Sequence, residues 1–97
     1  MDEVHKSLLK QMSYDFRKLL QSPDAVCTFL YSHDQITEFD LEDIEAIPTR
    51  HGKAAELVRT ICRRGPGAFD CLRRALIETD NMTLLSLMDL RLTQIQK

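Results

Sequence analysis

Apolar residues recur at three- and four-residue steps along most of the chain, which is the period of an amphipathic α-helix. Six stretches show this period. Their apolar positions are Leu8, Leu9, Met12, Phe16, Leu19 and Leu20 in the first, Val26, Phe29 and Leu30 in the second, Leu41, Ile44 and Ile47 in the third, Ala54, Leu57, Val58 and Ile61 in the fourth, Phe69, Leu72 and Leu76 in the fifth, and Leu84, Leu85, Met88 and Leu92 in the sixth. Because no alternating run or two-residue hairpin signal accompanies them, the pattern predicts helices and no sheet.

Capping and breaking residues separate these stretches. Ser22 is predicted to cap the second helix through its hydroxyl, and Pro23 suits the first turn of that helix, where the backbone N–H is unpaired. The sequence His33-Asp34-Gln35 is predicted to end the second helix. Thr37 is a predicted cap for the third helix, and Pro48 is predicted to stop it.

The later boundaries follow the same logic. Gly65 is predicted to close the fourth helix in the left-handed conformation, Pro66 to open the fifth, and Asn81 to cap the sixth.

The chain is 97 residues long, enough for one modest hydrophobic core. We therefore predict one domain over residues 1–97, an all-α, six-helix antiparallel bundle.

Composition and charge narrow the functional classes. The net charge is −2 and the pI is about 5.9, whereas nucleic-acid binders usually carry a net basic surface. No apolar run is long enough to cross a bilayer, and the N-terminus has no hydrophobic region of the secretory kind. The chain has three cysteines and no Cys-x-x-Cys pair, which favours a reducing compartment over a disulfide framework. We therefore expect the protein in the cytosol or the nucleus.

The charges are nonetheless segregated. One segment contains acidic side chains and no basic one: Asp34, Glu38, Asp40, Glu42, Asp43 and Glu45. Glu38, Glu42 and Glu45 share a face of the third predicted helix, where like charges cost an isolated helix about 0.2–0.5 kcal/mol per pair. In the first predicted helix, Lys6, Lys10 and Arg17 form a basic stripe. The fourth and fifth helices add further cations: Arg50, Lys53, Arg59, Arg63, Arg64, Arg73 and Arg74.

Such polarity lets one molecule attract copies or relatives of itself head to tail. The alternative is an ordinary solvated surface, in which Glu56 pairs with Arg59 and Asp70 with Arg74 at helical spacing. A further alternative is a helical binder of nucleic acid or phospholipid that uses the paired arginines of the fourth and fifth helices. Aromatic side chains for base stacking do not interleave with those arginines.

Candidate chemistry is sparse. Cys27 and His33 lie six residues apart with no oxyanion-hole glycines nearby, so a nucleophilic pair is not expected. Cys62 and Cys71 lie in apolar helical stretches, where a thiol packs as a small hydrophobe. The histidines and cysteines lack the paired short spacing of a zinc site, and the glycines around residue 66 lack the pattern of a phosphate-binding loop. We predict no catalytic residue, no metal and no cofactor.

One stretch carries a family resemblance. Arg64-Gly65-Pro66, Ala68-Phe69-Asp70, Ala75-Leu76 and Glu78-Thr79 resemble, in order and spacing, the junction between the fourth and fifth helices of caspase recruitment domains. The opening Met1-Asp2-Glu3 with Leu8-Leu9 is similar to the start of an initiator-caspase prodomain. Ile36-Thr37 and Leu84-Leu85-Ser86-Leu87 are compatible with the same family. Ser13 stands where some of these prodomains have arginine.

The resemblance implies a death fold that associates homotypically, a basic surface on one domain meeting an acidic surface on another. On this sequence the basic residues would be Lys10, Arg17, Arg50, Lys53, Arg59 and Arg63, and the acidic ones would be Asp34, Glu38, Asp40, Glu42, Asp43 and Glu45. The expected partners are recruitment-domain proteins, namely an initiator caspase, a caspase adaptor or an innate immune adaptor, with self-association possible in principle. Since no protease or second interaction domain accompanies the module, we expect a regulator that acts as a decoy. The alternative within the same fold is a nucleator that seeds partner assemblies.

Overall fold

The computed structural model describes residues 3–65 and 67–96, and within these residues every regular element is an α-helix. The helices are α1 (Glu3–Gln11), α2 (Ser13–Leu19), α3 (Pro23–Ser32), α4 (Glu38–Glu45), α5 (Arg50–Cys62), α6 (Gly67–Glu78) and α7 (Met82–Gln96). The predicted all-α bundle is confirmed. The number of helices differs by one, because the first predicted helix is divided into α1 and α2.

The division falls at Met12, whose backbone has φ −94° and ψ 8°. Beside it, the Ser13 hydroxyl donates to the Leu9 carbonyl at 3.4 Å. A serine that bonds back to the carbonyl four residues earlier competes with the helical ladder and bends the helix. The bend lets α1 pack against α5 and α7 while α2 packs chiefly against α5 and also touches α7.

Several predicted boundaries are confirmed. The Thr37 hydroxyl accepts from the Asp40 N–H at 3.1 Å, and the Asp40 carboxylate accepts from the Thr37 N–H at 3.0 Å. This reciprocal pair is a capping box at the start of α4. Pro23 occupies the first turn of α3, as predicted. Thr49, which the sequence analysis did not single out, caps α5 by accepting from the Gly52 N–H at 3.0 Å.

Two predicted caps are wrong. Ser22 is left-handed (φ 50°) and its hydroxyl makes no cap hydrogen bond; its backbone carbonyl accepts from the Ala25 and Val26 N–H groups at 3.0 and 3.2 Å. Among the described glycines none has a positive φ, so Gly65 does not close α5 in the predicted manner. The N–H groups of Arg63 and Arg64 close that helix by donating to Thr60 and Ile61 carbonyls at 3.1 and 3.0 Å.

The Asn81 cap is a third correction. The Asn81 side chain bonds to the Gln21 backbone instead of to the first turn of α7, and only its main-chain carbonyl accepts from α7, at Leu85. Pro66 and the opening Met1-Asp2 lie outside the described residues.

The six predicted apolar faces meet in one core. Most of their members are buried; the half-buried ones are Leu19, Phe29, Leu41, Ile47 and Leu92. Side chains outside the predicted set complete the core: Cys27, Ile36, Ala68, Cys71 and Ala75. Helix α5 packs against α1, α2, α3 and α4, so it lies between the N-terminal helices and α4. Each fully buried leucine contributes about 1.5–3 kcal/mol relative to exposure.

Candidate protein-docking surfaces

Helix α4 and the turn before it carry a group of exposed carboxylates, here called the acidic surface. Its members are Asp34, Glu38, Glu42, Asp43 and Glu45. Within the described residues none of these carboxylates forms an ion pair. Asp34 lies in the turn after α3 and has a left-handed backbone (φ 59°). Because α4 packs only by its Leu41 and Ile44 side against α3 and α5, the acidic side of the helix remains in solvent.

Asp40, the sixth predicted acidic residue, is placed differently. Its carboxylate closes the capping box with Thr37 and also forms an ion pair with Arg64 at the end of α5. The Asp40 side chain is only 13% exposed. A carboxylate that bonds a backbone N–H and a guanidinium in this way stabilises the fold more than an exposed ion pair would. The structure therefore gives Asp40 a role within the domain, joining α4 to the end of α5.

An aromatic side chain lies within the acidic surface. Phe39, the second residue of α4, is 79% exposed. Its neighbours on the helix surface, three and four residues later, are Glu42 and Asp43. Phe39 is not among the residues predicted from sequence. The available signal was its position out of phase with the apolar side of α4, formed by Leu41 and Ile44, which predicts a large apolar side chain in water.

The predicted basic residues do not form one surface, and two of them bond to groups of their own chain. Arg50 Nη1 donates to the Leu20 carbonyl at 2.8 Å and to the Lys18 carbonyl at 3.3 Å, where α2 ends. Lys53 Nζ lies 2.9 Å from both carboxylate oxygens of Asp24 on α3. The Lys53 side chain is mostly buried. These two cations satisfy groups of their own chain.

Arg17 and Arg59 come together on the outer surface between α2 and α5. With Ile47, His51, Gly52 and Ala55 they line an open depression of about 350 Å³, here called the basic hollow. Arg59 Nη1 lies 3.1 Å from Glu56 Oε2, yet the Arg59 side chain remains 62% exposed. Arg17 forms no ion pair within the described residues. The predicted pairing of Glu56 with Arg59 is therefore present, and it leaves the guanidinium accessible.

A second depression continues the basic hollow along α2. It has a volume of about 460 Å³ and is lined by Tyr14, Arg17, Lys18 and His51. Lys18 Nζ lies 5.8 Å from the Tyr14 ring centroid, a cation–π distance. Neither Tyr14 nor Lys18 was among the residues predicted from sequence. Their position follows from the break at Met12, which the apolar period alone does not reveal.

The remaining basic residues lie around Cys62. Lys6 and Lys10 line a recess of about 200 Å³ with Glu3, Ser7 and Cys62. Burial raises the pKa of the Cys62 thiol, while Lys10, Lys6 and Arg63 act in the opposite direction. The predicted basic stripe along the first helix is thus divided: Lys6 and Lys10 line this recess, and Arg17 lines the basic hollow.

The paired arginines considered for phosphate binding are largely engaged. Arg64 pairs with Asp40, and Arg73 forms a bidentate pair with Asp89 of α7 at 2.8 and 2.9 Å. The hydrogen bond to Asp89 raises the pKa of Arg73. The Arg74 guanidinium lies 5.8 Å from the Phe29 ring centroid of α3. The Asp70–Arg74 pair that the solvated-surface alternative offered is absent from the ion pairs of the described residues.

Burial raises the pKa of each of the three thiols. Burial, together with the charges of Asp24 and Glu45, raises the pKa of Cys27 from 9.0 to about 12, and burial also raises the pKa of Cys71. His33 is exposed, stacked on Phe29, with Nδ1 2.9 Å from the Phe29 carbonyl. Reactive cysteines need a lowered pKa. Residues 3–65 and 67–96 contain no cluster of metal-ligating side chains, and no helix among them is long and apolar enough to cross a membrane.

The structure is a helical bundle with a group of exposed carboxylates on α4 and the turn before it. The family model of the caspase recruitment domain matches residues 3–90, nearly the whole chain. The chain therefore belongs to the caspase recruitment domain family, whose death fold the helices reproduce. No curated protein matches the chain.

Recruitment domains are interaction modules that bind other recruitment domains in apoptotic and immune signalling. They are not catalytic domains. Family membership accounts for the architecture of the chain.

Proposed function

We propose that this chain regulates caspase activation or innate immune signalling by docking its acidic surface on the basic surface of another recruitment domain, in an initiator caspase or an adaptor. The observation that carries the proposal is the set of exposed carboxylates on α4, none of which is paired within the described residues. Their mutual repulsion lowers the stability of α4 slightly. A partner's cations would relieve that repulsion on binding. Such an encounter would occur in the cytoplasm.

A decoy role is supported by the difference in availability between the acidic surface and the predicted basic residues. The acidic surface is fully available, whereas Arg50 and Lys53 are bonded to groups of their own chain. A molecule of this kind occupies the basic surface of a partner and offers a depleted basic surface to the next molecule. Growth of the assembly then stops or slows at the bound copy.

The expected binding is weak and sensitive to salt. An exposed ion pair contributes about 0.2–1 kcal/mol, so several must act together. The Debye length falls from about 8 Å at physiological ionic strength to about 3 Å at 1 M. Binding through the acidic surface should therefore weaken steeply between these two conditions.

A charge-reversal experiment tests the docking surface. The variant Glu42→Lys/Asp43→Lys should lose binding to purified recruitment domains of initiator caspases or adaptors in a pull-down at physiological salt. The control Asp70→Lys/Glu78→Lys reverses two exposed carboxylates of α6 and produces the same change in net charge. Equal binding by the two variants would exclude the acidic surface as the contact.

Light scattering distinguishes a decoy from a seed. We expect substoichiometric amounts of this chain to suppress the assembly of a purified partner recruitment domain. Acceleration of that assembly would instead identify a nucleator. The Glu42→Lys/Asp43→Lys variant should have neither effect.

A further inference from the structure

We infer that the basic hollow and the depression that continues it along α2 form one binding site for a small polyanion that carries several phosphate groups. Arg17 and His51 line both depressions, so the two are contiguous. The inference goes beyond the proposed function, because it assigns a ligand of another chemical class and uses no residue of the acidic surface.

The sign of the charge around the site is the first observation. Lys18 and Arg59 add cations to Arg17, and among the described residues no aspartate or glutamate lines either depression. Arg59 keeps an exposed guanidinium although it contacts Glu56. A depression lined by charges of one sign concentrates the electric field and attracts ions of the opposite sign. The ligand that fits this site is therefore an anion.

The carboxylate of α2 does not neutralise these cations. Asp15 forms an ion pair with Arg91 of α7 at 3.3 Å, and the Asp15 side chain is only 19% exposed. Arg17 and Lys18 are exposed, and neither forms an ion pair within residues 3–65 and 67–96. Their positive charge is available to a ligand.

Neutral hydrogen-bond donors complete the lining. Arg50 Nη1 donates to the Leu20 carbonyl at the end of α2, and Arg50 Nη2 lies 3.3 Å from His51 Nε2. Because a guanidinium only donates, His51 Nε2 accepts, and a neutral imidazole then carries its proton on Nδ1 as a donor. The exposed Tyr14 ring, 5.8 Å from Lys18 Nζ, adds a phenol hydroxyl. The site thus combines charged and neutral donors, which suits an acceptor-rich anion.

Phosphate is the anion that this lining favours. Guanidinium groups bind phosphate through paired N–H donors, and ammonium groups bind it as point charges. The two depressions have volumes of about 350 and 460 Å³ and share Arg17, so a compact molecule with phosphates on several sides reaches both. A single phenol ring gives no series of stacking platforms for a nucleic-acid strand. Inositol polyphosphates have the required form, either free in solution or as the headgroup of a lipid.

Isothermal titration calorimetry of the purified chain with inositol hexakisphosphate at physiological ionic strength tests the site. We expect one ligand per chain, and an affinity at least about tenfold lower for Arg17→Gln/Lys18→Gln, which removes two charged donors. The control Arg63→Gln/Arg74→Gln makes the same change in net charge at two exposed arginines outside both depressions and should bind like the wild type. Equal losses in the two variants, or a loss in the control alone, would overturn the assignment.

A substitution that keeps the charge separates the shape of the site from its charge. Ala55→Trp narrows the basic hollow from the α5 side and should also weaken binding of inositol hexakisphosphate. Circular dichroism should show native helicity for every variant. A folded Ala55→Trp variant that binds like the wild type would exclude the hollow as part of the site. If the tryptophan variant does not fold, the glutamine pair and its control decide the question.

Vesicles distinguish the two sources of the ligand. Cosedimentation with phosphatidylcholine vesicles that contain phosphatidylinositol bisphosphate, lost in Arg17→Gln/Lys18→Gln, would assign the site to the lipid headgroup. Binding of inositol hexakisphosphate without binding to the vesicles would assign it to a soluble phosphate. A wild-type chain that binds neither would overturn the inference. That result leaves the proposed function standing, because the pull-down of the Glu42→Lys/Asp43→Lys variant tests residues outside this site.

Discussion

Asn81 and Gln21 are joined by two hydrogen bonds across 60 residues of sequence. The Gln21 N–H donates to Asn81 Oδ1 at 2.7 Å, and Asn81 Nδ2 donates to the Gln21 carbonyl at 3.0 Å. Asn81 is 4% exposed, and its Nδ2 also donates to the Thr79 hydroxyl at 2.7 Å. One side chain thus holds the connection between α2 and α3 against the connection between α6 and α7.

Replacing Asn81 with alanine should lower the free energy of unfolding by about 1–3 kcal/mol, because both backbone groups of Gln21 lose their partner. Asn81→Asp keeps an acceptor for the Gln21 N–H, and where the aspartate is protonated its O–H can replace the lost donor to the Gln21 carbonyl, so its cost at that pH should be smaller than that of alanine. Urea unfolding followed by circular dichroism measures both. An alanine variant as stable as the wild type would show that water replaces the side chain without loss.

Asp40 should behave as a structural residue in mutagenesis, unlike its neighbours in sequence. Asp40→Ala removes the side chain of a capping box and the carboxylate that Arg64 contacts, so we expect a loss of about 1–3 kcal/mol in unfolding free energy. Glu42→Ala, a change on the exposed side of the same helix, should leave stability within about 0.5 kcal/mol of the wild type. Equal effects of the two changes in urea unfolding would contradict this division.

Gly52 is confined by its surroundings. A Cβ at this position would lie 2.6 Å from Ile47 Cγ2 and 2.8 Å from Thr49 Oγ1, the atom that caps α5. Gly52→Ala should therefore destabilise the domain by about 1–2 kcal/mol, since crowding outweighs the helical gain of about 0.5–1 kcal/mol.

Gly65 is the matched control for that variant, because a Cβ there meets nothing within 4 Å and the backbone is not left-handed. Gly65→Ala should leave stability unchanged or raise it by up to about 1 kcal/mol. Thermal unfolding of both variants separates the two positions. Destabilisation by Gly65→Ala and none by Gly52→Ala would contradict the packing described.

Cys27 should make the domain sensitive to alkali. Its pKa is about 12 in the fold and 9.0 as the ordinary value, so above pH 9 the unfolded chain releases the thiol proton while the folded chain keeps it. The contribution of this thiol to the free energy of unfolding is fully present below pH 9. It is lost as the pH rises from about 9 to about 12, and the total loss is on the order of 4 kcal/mol, the equivalent of three pKa units. Cys27→Ala should unfold with a shallower alkaline decline than the wild type. Parallel declines in urea unfolding at pH 8 to 11 would exclude this thiol as the cause.

Hydrophobic periodicity predicted the number of apolar faces and nearly all of the core, because burial of leucine and isoleucine depends on local spacing. It missed the break at Met12, which depends on how the Ser13 hydroxyl competes for the Leu9 carbonyl. It also misplaced the role of Asn81. A polar residue at the start of a helix is usually a cap, and only the folded chain brings Gln21 within reach.

The candidate site was predictable in part. The acidic segment is local in sequence, and most of it lies on one exposed helix. The basic residues come from three helices, so their grouping depends on tertiary packing: Lys53 meets Asp24, Arg50 meets the end of α2, and Arg17 joins Arg59. Whether the predicted residues dock on a partner stays a prediction.

The break at Met12 has a consequence for how the N-terminal helices tolerate change. Lys10 and Arg17 lie on separate helices and line separate depressions. The energetic effects of substituting the two should therefore be additive, and either position can vary through evolution without constraining the other.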